Sequence, residues 1–227
     1  MKGIEKSSRV MELRRVSMVQ LLIALASLFF FVPFVEEIKG GDLIVSGLLS
    51  LVLLSAVLTV ANRGRTLTIA LLLAIPAVAG RWLNHFQPHL LPPAIFLVAG
   101  IGLVGFVVVN LLRFVLRASS VDGEVLCASI SAYLMLGVIW TMAYWLVEDL
   151  SPGAFVFNTP AATKETMEGF NAFYFSFITL STVGYGDVTP VSKVARMLAA
   201  TEAITGLLYV AVLIARLVAL YSAPKSD

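Results

Sequence analysis

Long apolar segments separated by short polar ones run through the whole chain. Six of them meet or approach the ~20 residues that an α-helix needs to cross a ~30 Å hydrocarbon layer. These segments are residues 17–35, 43–61, 66–83, 94–116, 124–147 and 191–222. The third contains Pro76, which predicts a kinked or tilted helix. The pattern therefore predicts an all-α membrane protein with six transmembrane helices in a lipid bilayer.

A seventh apolar stretch, residues 170–182, is too short to span a membrane. Its length suits a re-entrant helix, which is tolerated at membrane depth only where protein buries it or where it lines a water-filled cavity. A glycine-rich segment follows it, and a full spanning segment comes next. A short helix and a glycine-rich turn between two spans indicate a pore loop.

The orientation follows from the basic residues. With six spans the two termini share one side, and eleven of the sixteen Lys and Arg residues then lie on it. The positive-inside tendency therefore predicts that both termini are cytoplasmic. The first span is longer than the apolar core of a signal peptide and lacks a small-residue cleavage site after it, so we expect a retained helix. Trp140, Tyr144 and Trp145 are expected in the outer aromatic belt.

Composition agrees with a membrane protein: 59% of the residues are hydrophobic and 13% are charged, against roughly 45–50% and 25% in soluble domains. There is no basic patch interleaved with aromatics, so a nucleic-acid partner is not expected. The sequence also lacks zinc-ligand spacing and a phosphate-binding glycine loop. It therefore predicts no cofactor and no enzymatic activity.

Residues 182–187, which we call the filter segment, carry the candidate chemistry. Their order is Thr182-Val183-Gly184-Tyr185-Gly186-Asp187. A dehydrated potassium ion must find oxygens that replace its water shell, and rings of backbone carbonyls supply them. Aiming consecutive carbonyls to one side needs unusual backbone angles, which Gly184 and Gly186 reach without steric cost. We expect Thr182 at the inner end and Asp187 at the outer mouth.

The segment 124–222 resembles the tetrameric potassium channel family. The resemblance rests on residues 172–182 before the filter segment, on Thr189-Pro190 after it, and on the spacing of Arg196 and Gly206 from Asp187. It implies a homotetramer with one filter strand per chain, K⁺ as the permeant ion, and an inner helix that bends at Gly206 to gate.

The resemblance also implies support for the filter from the preceding helix, from Tyr174 and Thr179. The family often has two tryptophans where this chain has Tyr174-Phe175, and Tyr174 keeps a hydroxyl donor near Asp187. Some bacterial members carry a glutamate behind the filter where this chain has Ile178. Slow inactivation that depends on that carboxylate is therefore not expected.

Six-span members often sense voltage through arginines in the fourth span, but residues 94–112 contain none. Arg113 and Arg117 lie at its inner end. We therefore predict a channel with weak or no voltage dependence. We expect four parts: a cytoplasmic N-terminus (residues 1–16), a sensor-like four-helix domain without charges (17–117), a pore domain (118–223) and a short cytoplasmic tail (224–227). The expected location is the plasma membrane of a bacterium.

Glu202 is a carboxylate inside the sixth span, one helical turn before Gly206. Three placements stay open: a pairing behind the pore helix, the ion cavity, or a protonated or lipid-facing position. Thr201 and Thr205 are candidates for its hydrogen-bond network. For Gly206 the alternative to a hinge is close helix packing. A potassium transporter subunit and a regulatory subunit without its own pore are the competing function classes.

Overall fold

The computed structural model describes residues 2–35, 38, 40–60, 64–87, 90–158 and 166–222, with side chains except those of 2–15, 42, 64, 65, 221 and 222. Its elements are helices α1 (Lys2–Val35), α2 (Gly41–Val60), α3 (Gly64–Phe86), α4 (Pro93–Arg117) and α5 (Gly123–Leu150), strand β1 (Phe155–Phe157), helix α6 (Gly169–Leu180), strand β2 (Val188–Pro190) and helix α7 (Lys193–Ser222). Six helices are long and apolar enough to cross a membrane. The chain is therefore an all-α, multi-pass membrane protein.

The six predicted spans each coincide with one helix, and the differences lie at the ends. Helix α1 begins at Lys2 and so continues through the basic segment before the first span. Position 61, the predicted end of the second span, lies outside the described residues. Helix α3 runs on through Pro76 without interruption. The re-entrant helix ends at Leu180 and not at Thr182, because Ser181 already caps it.

The first four helices pack side by side into one bundle with an apolar interior. On α4 the buried residues recur every three or four positions, which presents one continuous face to its neighbours. They are Phe96, Leu97, Gly100, Leu103, Val104, Val107, Val108, Leu111 and Val115. The connection from α4 to α5 covers only residues 118–122. Helices α4 and α5 pack as neighbours, and α1 also contacts α5, so the bundle packs against this helix.

Helix α5 begins with Asp122, whose carboxylate accepts a hydrogen bond from the Val125 amide and so caps the helix. Helix α6 packs between α5 and α7. Strands β1 and β2 pair antiparallel, with Phe155 opposite Pro190 and Phe157 opposite Val188. This two-stranded sheet ties the segment before α6 to the segment that leaves the filter.

Helix α7 differs from the other spans in how little of it the chain covers. Only 6% of its most apolar 18-residue stretch is buried inside the chain, against 22–50% for the corresponding stretches of the other five helices. At its end remote from the filter, Arg216 Nη2 donates hydrogen bonds to the carbonyl oxygens of Leu116 (3.1 Å) and Ala118 (2.7 Å). The guanidinium therefore binds carbonyls that the end of α4 leaves without helical partners.

Candidate functional site

The filter segment starts directly at the C-terminal end of α6. Three consecutive amides turn back onto the last carbonyls of this helix: Thr182 N donates to Thr179 O at 2.9 Å, and Val183 N and Gly184 N donate to Ile178 O at 2.8 and 3.2 Å. These bonds satisfy carbonyls that would otherwise lack a partner at the helix end. Thr179 thus supports the filter segment through its backbone carbonyl.

The backbone of the filter segment alternates in handedness. The φ angle is positive at every second residue: 59° at Thr182, 51° at Gly184 and 80° at Gly186. Thr182 is the only non-glycine residue with positive φ in the described part of the chain. Positive φ at alternate residues is the unusual backbone that turning consecutive carbonyls to one side requires, and glycine reaches it without steric cost. A β-branched residue in the left-handed region is strained by ~1–3 kcal/mol, which is typical of functional backbone sites.

The side chains between these positions are open in the single chain. Val183 is 51% exposed and Tyr185 is 73% exposed, although both belong to a segment predicted to lie at membrane depth. Each presents a large apolar surface without cover from its own chain. The chain itself therefore leaves both side chains of the filter segment largely uncovered.

The outer end of the filter segment is held from the pore-helix side. Tyr174, on α6, donates its hydroxyl hydrogen to Asp187 Oδ2 at 2.7 Å. The second oxygen of the same carboxylate accepts from the Val188 amide at 3.1 Å. The structure thus brings Tyr174 and Asp187 together, and hydrogen bonds to both carboxylate oxygens fix the orientation of this side chain.

A second set of contacts reaches the same end from β1, and sequence reasoning missed it. The backbone amide of Asn158 donates to Asp187 O at 2.6 Å, continuing the β1–β2 pairing. Its side-chain nitrogen Nδ2 lies 2.9 Å from Gly186 O and 3.3 Å from Thr189 Oγ1. No local signal marks Asn158, because the strand register alone brings it to the filter.

Glu202 lies behind α6 and is completely buried in the chain. Its Oε2 accepts a hydrogen bond from the hydroxyl of Tyr144 on α5, and its Oε1 lies 2.6 Å from the Ser176 hydroxyl on α6. The Ser176 oxygen is also 2.8 Å from the Gly137 carbonyl oxygen. A single cluster therefore joins α5, α6 and α7.

Two expectations about this region were wrong. Tyr144 is fully buried and does not belong to an interfacial aromatic belt. Thr201 and Thr205 do not join Glu202, since their hydroxyls donate to the backbone carbonyls of Met197 and Thr201 one turn earlier. Threonine in a helix commonly satisfies its hydroxyl in this way.

Gly206 lies where α7 crosses the end of α6. A methyl group at this position would overlap the carbonyl oxygen of Leu180 and would lie 3.0 Å from its carbonyl carbon. Leu180 is the last residue of α6, two positions before the filter segment. The absence of a side chain at Gly206 is therefore what allows the inner helix to contact the helix that carries the filter.

Comparison with known proteins agrees with this geometry. Residues 128–223 match the ion channel family. This segment contains most of α5 together with α6, the filter segment and all of α7. That part, which is less than half of the chain, is therefore similar to the ion channel family.

Three curated relatives are similar to the chain. Two pore potassium channel b of Oryza sativa subsp. japonica is 36% identical, and the match covers 33% of this chain and 18% of the relative. Inward rectifier potassium channel Kirbac3.1 of Paramagnetospirillum magnetotacticum is 29% identical, over 41% of this chain and 28% of the relative. Voltage-gated potassium channel Kch of Escherichia coli K12 is 50% identical, over 18% of this chain and 12% of the relative. The chain thus spans less than a third of the length of each of these relatives. No solved structure matches the chain significantly.

Proposed function

We propose that this chain is one subunit of a homotetrameric potassium channel that conducts K⁺ passively. The backbone carbonyls of residues 182–186 from four chains would form stacked oxygen rings at a common axis, and Asp187 would line the outer mouth. The observation that carries the proposal is the alternating backbone at Thr182, Gly184 and Gly186. Carbonyl groups turned to one side are the ligands that replace the hydration shell of K⁺.

The surfaces that the single chain leaves open support a fourfold assembly. Few residues of helix α7 are buried, and Val183 and Tyr185 are exposed. In a tetramer the inner helices would surround the axis, and neighbouring subunits would cover these side chains. We place the protein in the plasma membrane of a bacterium with both termini in the cytoplasm, since the basic residues concentrate on that side.

The test is ion flux through the purified protein in liposomes. We expect K⁺ and Rb⁺ to pass down their gradients and Na⁺ to be strongly disfavoured. Gly184→Ala and Gly186→Ala should abolish selective flux, because a methyl group at positive φ is disfavoured by ~1–2 kcal/mol in every subunit. Gly123→Ala is the matched control, since Gly123 has open space around its Cα and no positive φ.

Three outcomes separate the function classes. Equal permeation of K⁺ and Na⁺ through the wild-type protein would refute potassium selectivity. Potassium movement that requires a second, coupled solute gradient would indicate a transporter. A wild-type protein that forms no pore by itself would indicate a regulatory subunit.

A further inference from the structure

The peptide group between Gly186 and Asp187 has little steric restraint within the subunit. Gly186 has a φ of 80°. Apart from its chain neighbours, no heavy atom lies within 4 Å of the position that a Cβ atom would take there. Glycine accepts many backbone conformations at nearly equal energy. The orientation of this peptide therefore depends on hydrogen bonds.

Asn158, which follows β1, supplies such hydrogen bonds in addition to the contact that Tyr174 makes from α6. A carbonyl oxygen can only accept, so the contact of 2.9 Å with Gly186 O requires the NH₂ side of the amide. Its other hydrogen faces the Thr189 hydroxyl at 3.3 Å. The backbone amide of Asn158 binds the next carbonyl, that of Asp187. One residue thus holds two consecutive carbonyls at the filter exit.

The base of this contact is rigid because Asn158 directly follows β1. Strand β1 is paired with β2, which itself begins one residue after Asp187. The strand next to the donor, β1, and the strand next to the acceptor, β2, are therefore fixed relative to each other. A side chain on a free loop would not keep this geometry.

We propose that Asn158 is a positioning residue, which fixes the orientation of the Gly186 peptide and so keeps the outer end of the filter in its conducting form. This inference rests on the proposed conduction through residues 182–186. It assigns to the segment before α6 a direct influence on the filter, separate from the contact between Tyr174 and Asp187. The ligand concerned is the outermost dehydrated K⁺ ion.

Two variants of one side chain test the proposal. Asn158→Ala removes the donor, and Asn158→Asp keeps the size but places a carboxylate oxygen against the Gly186 oxygen. Asn171→Ala is the matched control, since Asn171 is a partly exposed asparagine in the first turn of α6 whose side chain donates to Thr166 O and not to the filter segment. All variants are compared as full-length tetramers in lipid, with the melting temperature as a check on folding.

The first measurement is the carbonyl ¹³C resonance of labelled Gly186, recorded by solid-state NMR in bilayers. We expect it to move in both Asn158 variants and to stay unchanged in Asn171→Ala. The second is sustained flux at low external K⁺, which should fall about fivefold in Asn158→Ala, the effect of one ordinary hydrogen bond, and further in Asn158→Asp. High external K⁺ should restore it, because ion binding stabilises the form that binds.

The outcomes distinguish this inference from the proposed function. A wild-type protein without K⁺ flux would contradict the proposed function itself. A conducting wild type, with Asn158 variants that match it in both the Gly186 resonance and the flux at low K⁺, would overturn only the role of Asn158. A moved resonance with unchanged flux would also overturn it, since the contact would then be structural alone.

Discussion

At the scale of single residues, the buried cluster around Glu202 is held together by the hydroxyl hydrogens of Tyr144 and Ser176. Ser176 lies within hydrogen-bond distance of both Glu202 Oε1 and Gly137 O, but serine has only one hydrogen to donate. Tyr144 donates to the other carboxyl oxygen. Of the three placements for Glu202 considered from the sequence, the structure has the one behind α6.

This sharing predicts that Glu202→Gln is tolerated. The glutamine NH₂ group can donate to Ser176 while its carbonyl accepts from Tyr144, and Ser176 then donates to Gly137. Glu202→Ala should instead lower the melting temperature of the assembled protein, because the buried Tyr144 hydroxyl loses its acceptor, which costs about 1–3 kcal/mol, whereas Ser176 keeps Gly137 O. Thermal unfolding followed by size-exclusion chromatography measures both. If Gln destabilises as much as Ala, the cluster needs the carboxylate charge.

At the scale of elements, α6 and its neighbours form the support of the filter segment. Carbonyl groups at the end of α6 accept hydrogen bonds from the amides of the filter segment. Strand β2 directly follows the filter segment, and α7 crosses beside Leu180. Interiors packed at this closeness have no room for an added methyl group without displacement of a neighbour. The contact at Gly206 is therefore a property of two helices and not of one glycine.

Gly206→Ala consequently tests packing against hinge bending. Since the new methyl group would overlap Leu180 O, we expect a loss of about 1–3 kcal/mol in stability and weaker tetramer assembly. Gly105→Ala in α4 is the control, because nothing lies within 4 Å of that position. Melting and single-channel recordings decide the matter. A lower open probability with unchanged melting and assembly would instead favour a hinge at Gly206.

At the scale of the whole molecule, the bundle α1–α4 packs against α5. Helix α4 carries its only basic residues, Arg113 and Arg117, at its C-terminal end. Each charge that crosses the membrane field contributes only ~2.3 kcal/mol per ~100 mV, so steep gating requires several. The contact of Arg216 with the end of α4 joins the bundle to the inner helix without adding mobile charge.

We therefore expect the conductance of the reconstituted channel to depend only weakly on voltage. Arg113→Gln should leave the slope of the conductance–voltage curve unchanged, because a residue at the helix end does not cross the field. Planar-bilayer recordings over a wide voltage range measure this slope. An effective charge of several elementary charges per channel, reduced by Arg113→Gln, would contradict the prediction.

The sequence by itself determined the six spans, the short re-entrant helix and the candidate filter, because each depends on local properties: the length of an apolar run, or the order of six adjacent residues. Helix ends were less certain, as Leu180 and Lys2 demonstrate, since caps and fraying depend on the surroundings. The contact between Tyr174 and Asp187 could also be predicted from the sequence. The two residues are only thirteen positions apart, and the resemblance to potassium channels places a hydroxyl donor near Asp187.

Only the tertiary structure decided the contacts between distant residues. Tyr144 and Glu202 are 58 positions apart, and Asn158 and Gly186 are 28 apart. Whether Tyr144 faces lipid or protein depends on the rotation of α5 about its axis, which an almost uniformly apolar sequence leaves undetermined. Asn158 reaches the filter because β1 and β2 pair in one particular register, and a register shift of one residue would turn its side chain to the opposite face.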